Sequence, residues 1–487
     1  MGTKSASLLQ TALKPKNQRI TKFIFPLWMT QRMEGLKHLL TLSAVIAVVC
    51  TTCAHARLGT FWTVTDVHLA GNYKPGTDPH TFCTEGAGAA GKFGYFDCNT
   101  PRETLFQPAL KYMADKGADF VLWMGDSPTA YGLEPHGKMT DEVVWRDIGY
   151  VVDDLTEAFT KRGIPVYPVY GNHEHSSAKH CPNPKDKDFE GYFGNFSKLW
   201  SRWLPEDCLE TVRKGGYYTT LVAPKIRMLV FNSVYYWPWN VKTYIHIDPV
   251  GQFPWMRATL AAARAASERV LVVSHIPPVF DIFVDQWRKT PRDVYAGILD
   301  EYQDIIIGTL YGHDHTNSMG ILAPSHNQTH IVAVSQAIPS MTPDMAVLPN
   351  KPSHVGRGGK NPTFRLYEFD TDQGILTDYV QYWANLTEVN ANDKLVWREL
   401  YRMTEEYGIK DLTKDELVKS IYKIRDDRAT WCKFLRHWTT EHEFKYGEGK
   451  SVRRDLMCSL LYTKYEKLAE CAVKPPFKDF ACSNYKY

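Results

Sequence analysis

The sequence predicts an α/β fold, a layered β-sandwich flanked by helices, with a small helical subdomain at its C-terminal end. Short apolar runs rich in β-branched and aromatic residues recur at 60–65, 120–124, 166–170, 269–274 and 305–311, with stretches of helical spacing between them. Each run is about strand length and continuous, the pattern of strands buried on both faces. Each also ends in a polar cluster, and folds of this class place their sites at strand C-terminal ends.

In chain order, the runs lead to Asp66, to Gly125-Asp126, to Gly171-Asn172-His173, to His275 and to Gly312-His313. After the first, Thr100-Pro101-Arg102-Glu103 offers a capping residue, Pro at the first helical position and Glu at the third, and opens a helix to about Lys116. Residues 141–161 and 252–266 carry helical spacing too. After about Trp397 the texture becomes charged and helical, at 414–425, 431–445 and 452–472. The expected division is 1–56, an N-terminal extension and signal peptide; 57–396, the α/β domain; and 397–487, a helical subdomain stapled by four cysteines.

The front end reads as an export signal. Lys37 precedes an apolar core, residues 39–50, too short to span a bilayer, and Ala54-His55-Ala56 follows as a cleavage site. Met33 sits where such a signal starts, so translation from either Met1 or Met33 fits. Eight cysteines lie beyond the signal (Cys83, Cys98, Cys181, Cys208, Cys432, Cys458, Cys471 and Cys482), an even number suited to disulfides in an oxidising compartment. Local pairs Cys83–Cys98 and Cys181–Cys208 are expected. Sequons at Asn195, Asn327 and Asn385 point the same way, to secretion or delivery to the lysosome. No hydrophobic tail precedes Tyr487, so no lipid anchor is expected.

Charge excludes broad polyanion binding. The whole chain has a formal net charge of +3, but residues 1–56 hold seven Lys/Arg and one acid, so the remainder is slightly acidic. No nucleic-acid polymer is expected as partner.

Five clusters carry candidate chemistry: Asp66-Val67-His68, Gly125-Asp126, Gly171-Asn172-His173-Glu174, Val272-Val273-Ser274-His275 and Gly312-His313-Asp314-His315. Alone, each is ordinary loop or strand-end composition. Together, in this order and each at a strand end, they supply the O/N ligands and bridging carboxylate that a pair of divalent metals requires. Alternate residues of a strand share a face, which aims both side chains of D-x-H to one side.

This ordered set resembles the calcineurin-like metallophosphoesterases, whose pattern is D-x-H, G-D, G-N-H-(D/E), H and G-H-x-H, over roughly residues 60–395. The resemblance makes 57–396 the catalytic domain. It implies one metal held by Asp66, His68, Asp126 and His315, and a second held by Asp126, Asn172, His275 and His313. It places His173 on the phosphate as the catalytic group and Glu174 behind the ligands, although a solvated acid is an equal reading of Glu174. Two cations about 3.5–4 Å apart lower the pKa of a bridging water, and the resulting hydroxide attacks phosphorus in line. The purple acid phosphatases share parts of the pattern, but their iron-ligating Tyr falls at Thr129, which leaves zinc as the expected metal.

A closer likeness is to the acid sphingomyelinase-like phosphodiesterases. It rests on Gly125-Asp126-Ser127-Pro128, Arg213-Lys214-Gly215-Gly216-Tyr217-Tyr218, Phe231-Asn232-Ser233 and residues 381–387, and it implies a Cys458–Cys471 disulfide. Only nine residues separate Ala56 from Asp66, too few for the saposin module of acid sphingomyelinase itself. The implied substrates are therefore small soluble phosphodiesters or nucleotides such as CDP-choline. Sphingomyelin cleavage, phosphomonoester hydrolysis and a non-catalytic metal-binding homologue are the alternatives. The family's His after G-D-S-P is missing, with Tyr131 or His136 as substitutes. Tyr235-Tyr236-Trp237 reads equally as a stacking platform or as core.

Overall fold

The computed structural model describes residues 58–96, 98–129, 140–176, 180–282, 284–344, 359–442, 452–480 and 482. The export signal, both candidate start methionines, Tyr131, His136 and Tyr487 lie outside them.

Among the described residues, twelve strands of three or more residues form two sheets. They are β1 (Leu58–Val64), β2 (Phe120–Trp123), β3 (Val166–Pro168), β4 (Tyr218–Ala223), β5 (Ile226–Val230), β6 (Arg269–Val273), β7 (Ile306–Tyr311), β8 (Ser318–Leu322), β9 (Ala333–Ala337), β10 (Thr363–Asp370), β11 (Ile375–Trp383) and β12 (Arg398–Arg402). The first sheet runs β12-β11-β10-β1-β2-β3, with β1, β2 and β3 parallel and the remaining pairs antiparallel. The second runs β8-β9-β7-β6-β5-β4, with β5, β6, β7 and β9 parallel and antiparallel edges at β4 and β8. The five apolar runs of the sequence are β1, β2, β3, β6 and β7. All four residues of β2 and the last four of β6 are buried, as continuous hydrophobicity requires.

Thr140 caps the helix Asp141–Ala158, its Oγ1 accepting from the Val143 N–H (3.3 Å). The expected cap at Thr100 does not form. Thr100 and Pro101 instead pair in extended form with Leu69 and Ala70, and a π-helical turn, Arg102–Phe106, leads into the helix Gln107–Lys116. The stretch at 452–472 is two helices, Val452–Leu461 and Tyr465–Val473. Between them Gln328 Oε1 accepts from the N–H groups of Thr463 and Lys464 (3.0 Å each), a distant side chain that no local pattern announces. The stretch at 431–445 begins earlier, as Arg428–Trp438, with Asp427 as its cap.

β12 lies just beyond Trp397 and extends the first sheet, so the C-terminal segment opens with a strand. Its helices then add Leu417, Ile421, Trp431, Phe434 and Leu456 to the hydrophobic core that the sheets share. Among the sequon residues, Asn195 and Asn327 are exposed, and Asn385 is half-buried as the cap of Leu386–Ala391.

Disulfides join Cys83–Cys98, Cys432–Cys482 and Cys458–Cys471. The expected Cys181–Cys208 bond is corrected: both thiols are free and buried. They sit in separate pockets of the core. The Asn232 side-chain amide meets the Cys181 sulfur at 3.4 Å, and Cys208 donates to the Thr219 carbonyl on β4 (3.2 Å).

His437 is buried against Tyr401, ring centroids 4.2 Å apart. Burial, with Arg436 and Lys433 nearby, pushes it down to about 3. The unfolded chain therefore binds the extra proton at mildly acid pH, and this contribution to stability is full above about pH 6.5 and is lost as pH falls toward 3. His437→Phe is expected to flatten the fall of melting temperature between pH 6.5 and 4. An unchanged slope would assign the acid sensitivity elsewhere.

Candidate metal centre

β1, β2, β3, β6 and β7 end on one side of the molecule, and the segments that follow them meet. Five residues there, Asp66 (φ 49°), His68 (φ 41°), Asp126 (φ 55°), His313 (φ 72°) and His315 (φ 60°), adopt left-handed backbone. Each such non-glycine residue costs roughly 1–3 kcal/mol, so strain is concentrated at this point. Asp66 and His68 lie past the end of β1 at Val64. Left-handed turns aim them inward, and the strand alternation inferred from D-x-H does not operate.

Hydrogen bonds fasten the segments to one another. Asp66 N–H donates to the Gly125 carbonyl (3.1 Å) and His68 N–H to the Asp126 carbonyl (3.0 Å). The Asp66 carboxylate accepts from His313 N–H (2.9 Å) and Thr65 Oγ1 (2.6 Å), and Asp126 Oδ1 accepts from His173 N–H (2.8 Å). Glycine is needed for such close approach. A Cβ on Gly312 would stand 2.2 Å from Thr65 Oγ1, and one on Gly171 would stand 2.3 Å from Asp126 Oδ1.

Three donor groups result: Asp66, His68 and His315; His68, Asp126 and His173; and Asp126, His275 and His313. In each, the ligand atoms lie within 4.8 Å of one another. Asn172 Oδ1 joins the third, 3.1 Å from His275 Nε2. All seven metal-ligand candidates and His173 thus meet in one cradle.

The ring orientations decide what the cradle can accept. Nδ1 of His68 faces the Pro128 carbonyl (2.9 Å), Nδ1 of His275 the Met124 carbonyl (2.8 Å) and Nδ1 of His315 the Asp344 carbonyl (2.7 Å). A carbonyl only accepts, so in the neutral ring each Nδ1 holds the proton and each Nε2 turns a lone pair inward. His68 Nε2 then sits 3.0 Å from His315 Nε2, and His275 Nε2 sits 3.2 Å from Asp126 Oδ2. Lone pair against lone pair, out of water, is repulsive until a cation lies between them. Imidazoles oriented from behind by carbonyls, with carboxylates, suit divalent metal ions.

Electrostatics agrees. Burial pushes His68 and His313 down to about 3, helped by the neighbouring histidines, and leaves both as neutral ligands. Burial would raise Asp66 and Asp126, yet His275 above all holds both below the usual carboxylate range. Burial would likewise lower His275, yet Asp126 and Asp66 carry it up to about 10. The cradle draws positive charge wherever a proton can supply it.

Glu174 is buried, and its carboxylate accepts from Gly171 N–H (2.9 Å), Asp126 N–H (3.0 Å), Ser127 N–H (2.8 Å) and Ser127 Oγ (2.9 Å). The solvated-acid reading is excluded. Burial and Asp126 push it up to about 7 against those bonds. Tyr235 and Tyr236 are core residues, and only Trp237 reaches the cradle, its ring edge-on to His313 at 5.2 Å. Thr129 takes no part in the cradle's contacts and hydrogen-bonds Asn99. Sequence reasoning missed Thr65, Ser127 and the carbonyls of Met124, Pro128 and Asp344. Backbone acceptors carry no side-chain signature, and Asp344 is remote in sequence from every motif.

Residues 59–317 match the calcineurin-like phosphoesterase family, and residues 337–474 match the acid sphingomyelin phosphodiesterase C-terminal region. The chain belongs to the calcineurin-like metallophosphoesterases, the metal-dependent class that this fold and cradle define. Within them its relatives are the acid sphingomyelinase-like phosphodiesterases, which makes it a metal-dependent phosphoric diester hydrolase. A sphingomyelinase phosphodiesterase C of Dictyostelium discoideum is 30% identical over 439 residues, 85% of this chain and 93% of that one. A human cyclic GMP-AMP phosphodiesterase is 27% identical over 428 residues, 85% and 90%. Its Bos taurus counterpart is 31% identical over 384 residues, 75% and 79%.

Glu174→Gln turns an amide NH₂ toward N–H donors and loosens the segment carrying Asp126. A loss of ~10–100-fold in metal affinity or turnover is expected, read by metal titration of the purified variant. Unchanged affinity and rate would show that the four hydrogen bonds do not position Asp126.

Proposed function

We propose that this protein hydrolyses phosphodiester or phosphoanhydride bonds of small soluble substrates, nucleotides and CDP-choline-like diesters, with two zinc ions as cofactor. The observation that carries the proposal is the inward convergence of Nε2 atoms and two buried carboxylates on one point. Asp66, His68, Asp126 and His315 would hold one ion, and Asp126, Asn172, His275 and His313 the other. When bound, such a pair supplies an activated water and neutralises charge on the phosphoryl oxygens.

The chain's own residues do the rest. The carbonyls behind His68, His275 and His315 fix the rings, and Glu174 fixes the backbone of Asp126 and Ser127. His173 is the least sheltered cradle histidine for which an ion pair is resolved, with 16% of its side chain exposed. Its ring stands edge-on to His68 at 4.8 Å, and its Nδ1 has no partner among the described residues. In this reading His173 donates to a phosphoryl oxygen or protonates the leaving oxygen.

The relatives named cyclic GMP-AMP phosphodiesterases favour nucleotides. A second reading, a phospholipid diester, is favoured by an exposed apolar loop beside the cradle and by the relative named sphingomyelinase phosphodiesterase C. Disulfides, the signal sequence and exposed Asn195 and Asn327 support export to the cell exterior or lysosome and glycosylation. The division at 57–396 and 397–487 is kept as catalytic domain and C-terminal subdomain, with β12 bridging them.

A panel of CDP-choline, nucleoside triphosphates, cyclic dinucleotides and sphingomyelin tests the substrate. Soluble nucleotides are expected to be cleaved fastest, and faster cleavage of the lipid without detergent would reverse the ranking. His173→Ala is expected to lower kcat by ~10²–10⁴-fold on alkyl diesters and far less on nitrophenyl diesters, whose leaving group needs no proton. Equal losses on both would remove the acid role.

A further inference from the structure

Between Trp237 and Asp248 the chain forms an irregular loop of inverted polarity. Two of its polar residues point inward. Asn240 and Thr243 are fully buried, and the Asn240 side-chain amide donates to the Val234 carbonyl (3.2 Å). The Arg288 guanidinium pins the base, donating to the carbonyls of Tyr235 and His246 (2.8 Å each) and to that of Tyr244. Its apolar residues point outward. Trp239, Val241, Tyr244, Ile245 and Ile247 are 49–86% exposed, five of the nine large apolar side chains at least 49% exposed among the described residues. A loop fastened in this way leaves much of the surface of its apolar side chains in water, and exposure of that kind marks an interaction surface. The loop begins just after Trp237, whose ring meets His313 of the cradle.

We propose that this loop inserts its tip into the interfacial layer of a lipid bilayer and holds the cradle beside the membrane surface. The ten residues 238–247 are by themselves too few for a stable protein interface, which takes about 20–30 residues a side, whereas a bilayer accepts a protruding tip. Trp and Tyr flanking aliphatic side chains is the composition that sits at the lipid–water boundary. The charge nearby selects the kind of lipid. Asn183 hydrogen-bonds the Lys242 carbonyl (2.8 Å), which brings Lys185, Asp186, Lys187 and Asp188 alongside, and Lys242 itself pairs with Asp186 (3.1 Å). Three cations stand against two acids, an excess of a single charge, so apolar insertion into a zwitterionic surface drives binding and attraction to anionic lipid adds little. The proposal concerns where the enzyme sits and stands whichever diester it cleaves.

The test is co-sedimentation of the full chain with phosphatidylcholine vesicles at ~0.1 and ~0.5 M salt, beside the double variant Val241→Asp/Ile245→Asp. Wild type is expected to partition equally at both salt concentrations, and the variant at least ~10-fold less. The apolar stretch at 39–50 is common to both proteins, so the difference reports the loop. Ile245→Ser alone should fall in the same direction by a few-fold. Turnover of a soluble bis-aryl phosphate without vesicles should be the same in all three and serves as the folding control. Equal partitioning of wild type and variant, or none by wild type, overturns the proposal. So does binding that requires phosphatidylserine and vanishes in salt. A lipid-free wild-type dimer that the variant abolishes also overturns it and assigns the loop to a second copy. Failure of every protein on the bis-aryl phosphate would strike the hydrolase reading and leave the vesicle result standing.

Discussion

Two carboxylates, Asp66 and Asp126, are held out of water among imidazoles whose Nε2 atoms point at them, and the rest of the structure follows from that arrangement. Such a cluster is costly to bury unless positive charge completes it. Every nearby feature serves that completion. Carbonyls hold three Nδ1 protons outward, His68 and His313 stay neutral, and His275 rises to meet the carboxylates.

The same constraint explains how the two sheets are coupled. Asp66 and Asp126 follow strands of the first sheet, while His275, His313 and His315 follow strands of the second. The bonds from His313 N–H to Asp66 and from His275 Nδ1 to Met124 cross between them. A further segment, 340–344, ties in from behind: Ser340 N–H donates to the His315 carbonyl (3.1 Å) and Thr342 N–H to the Asp66 carbonyl (3.0 Å). Lys360 is buried there, donating to the Ser340 carbonyl at 2.5 Å, and burial pushes its pKa well down. Backbone strain at five ligand candidates is tolerated because hydrogen bonds from both sheets overdetermine the turns.

Much of this was legible in the sequence. The five strands that deliver the cradle stand out as continuous apolar runs, and Asp66, His68, Asp126, Asn172, His275, His313 and His315 stand at their ends. What stayed hidden is what sequence does not encode locally. Left-handed turns at Asp66 and His68 replace strand alternation as the aiming device, and backbone carbonyls set the tautomers. Gln328 splits a helical stretch from more than a hundred residues away. Cys181 and Cys208 read as a local pair by spacing, but the fold gives each its own neighbours. Glu174 was ambiguous because burial, which turns an acid into a structural acceptor, is a tertiary property.

Anomalous diffraction at the zinc edge from crystals grown with zinc measures the central claim directly. Two peaks are expected in the cradle, each about 2.0–2.2 Å from its nitrogen and oxygen ligands, with Asp126 touching both. A cradle with one peak or none, or with Asp126 bound to neither ion, would contradict the account.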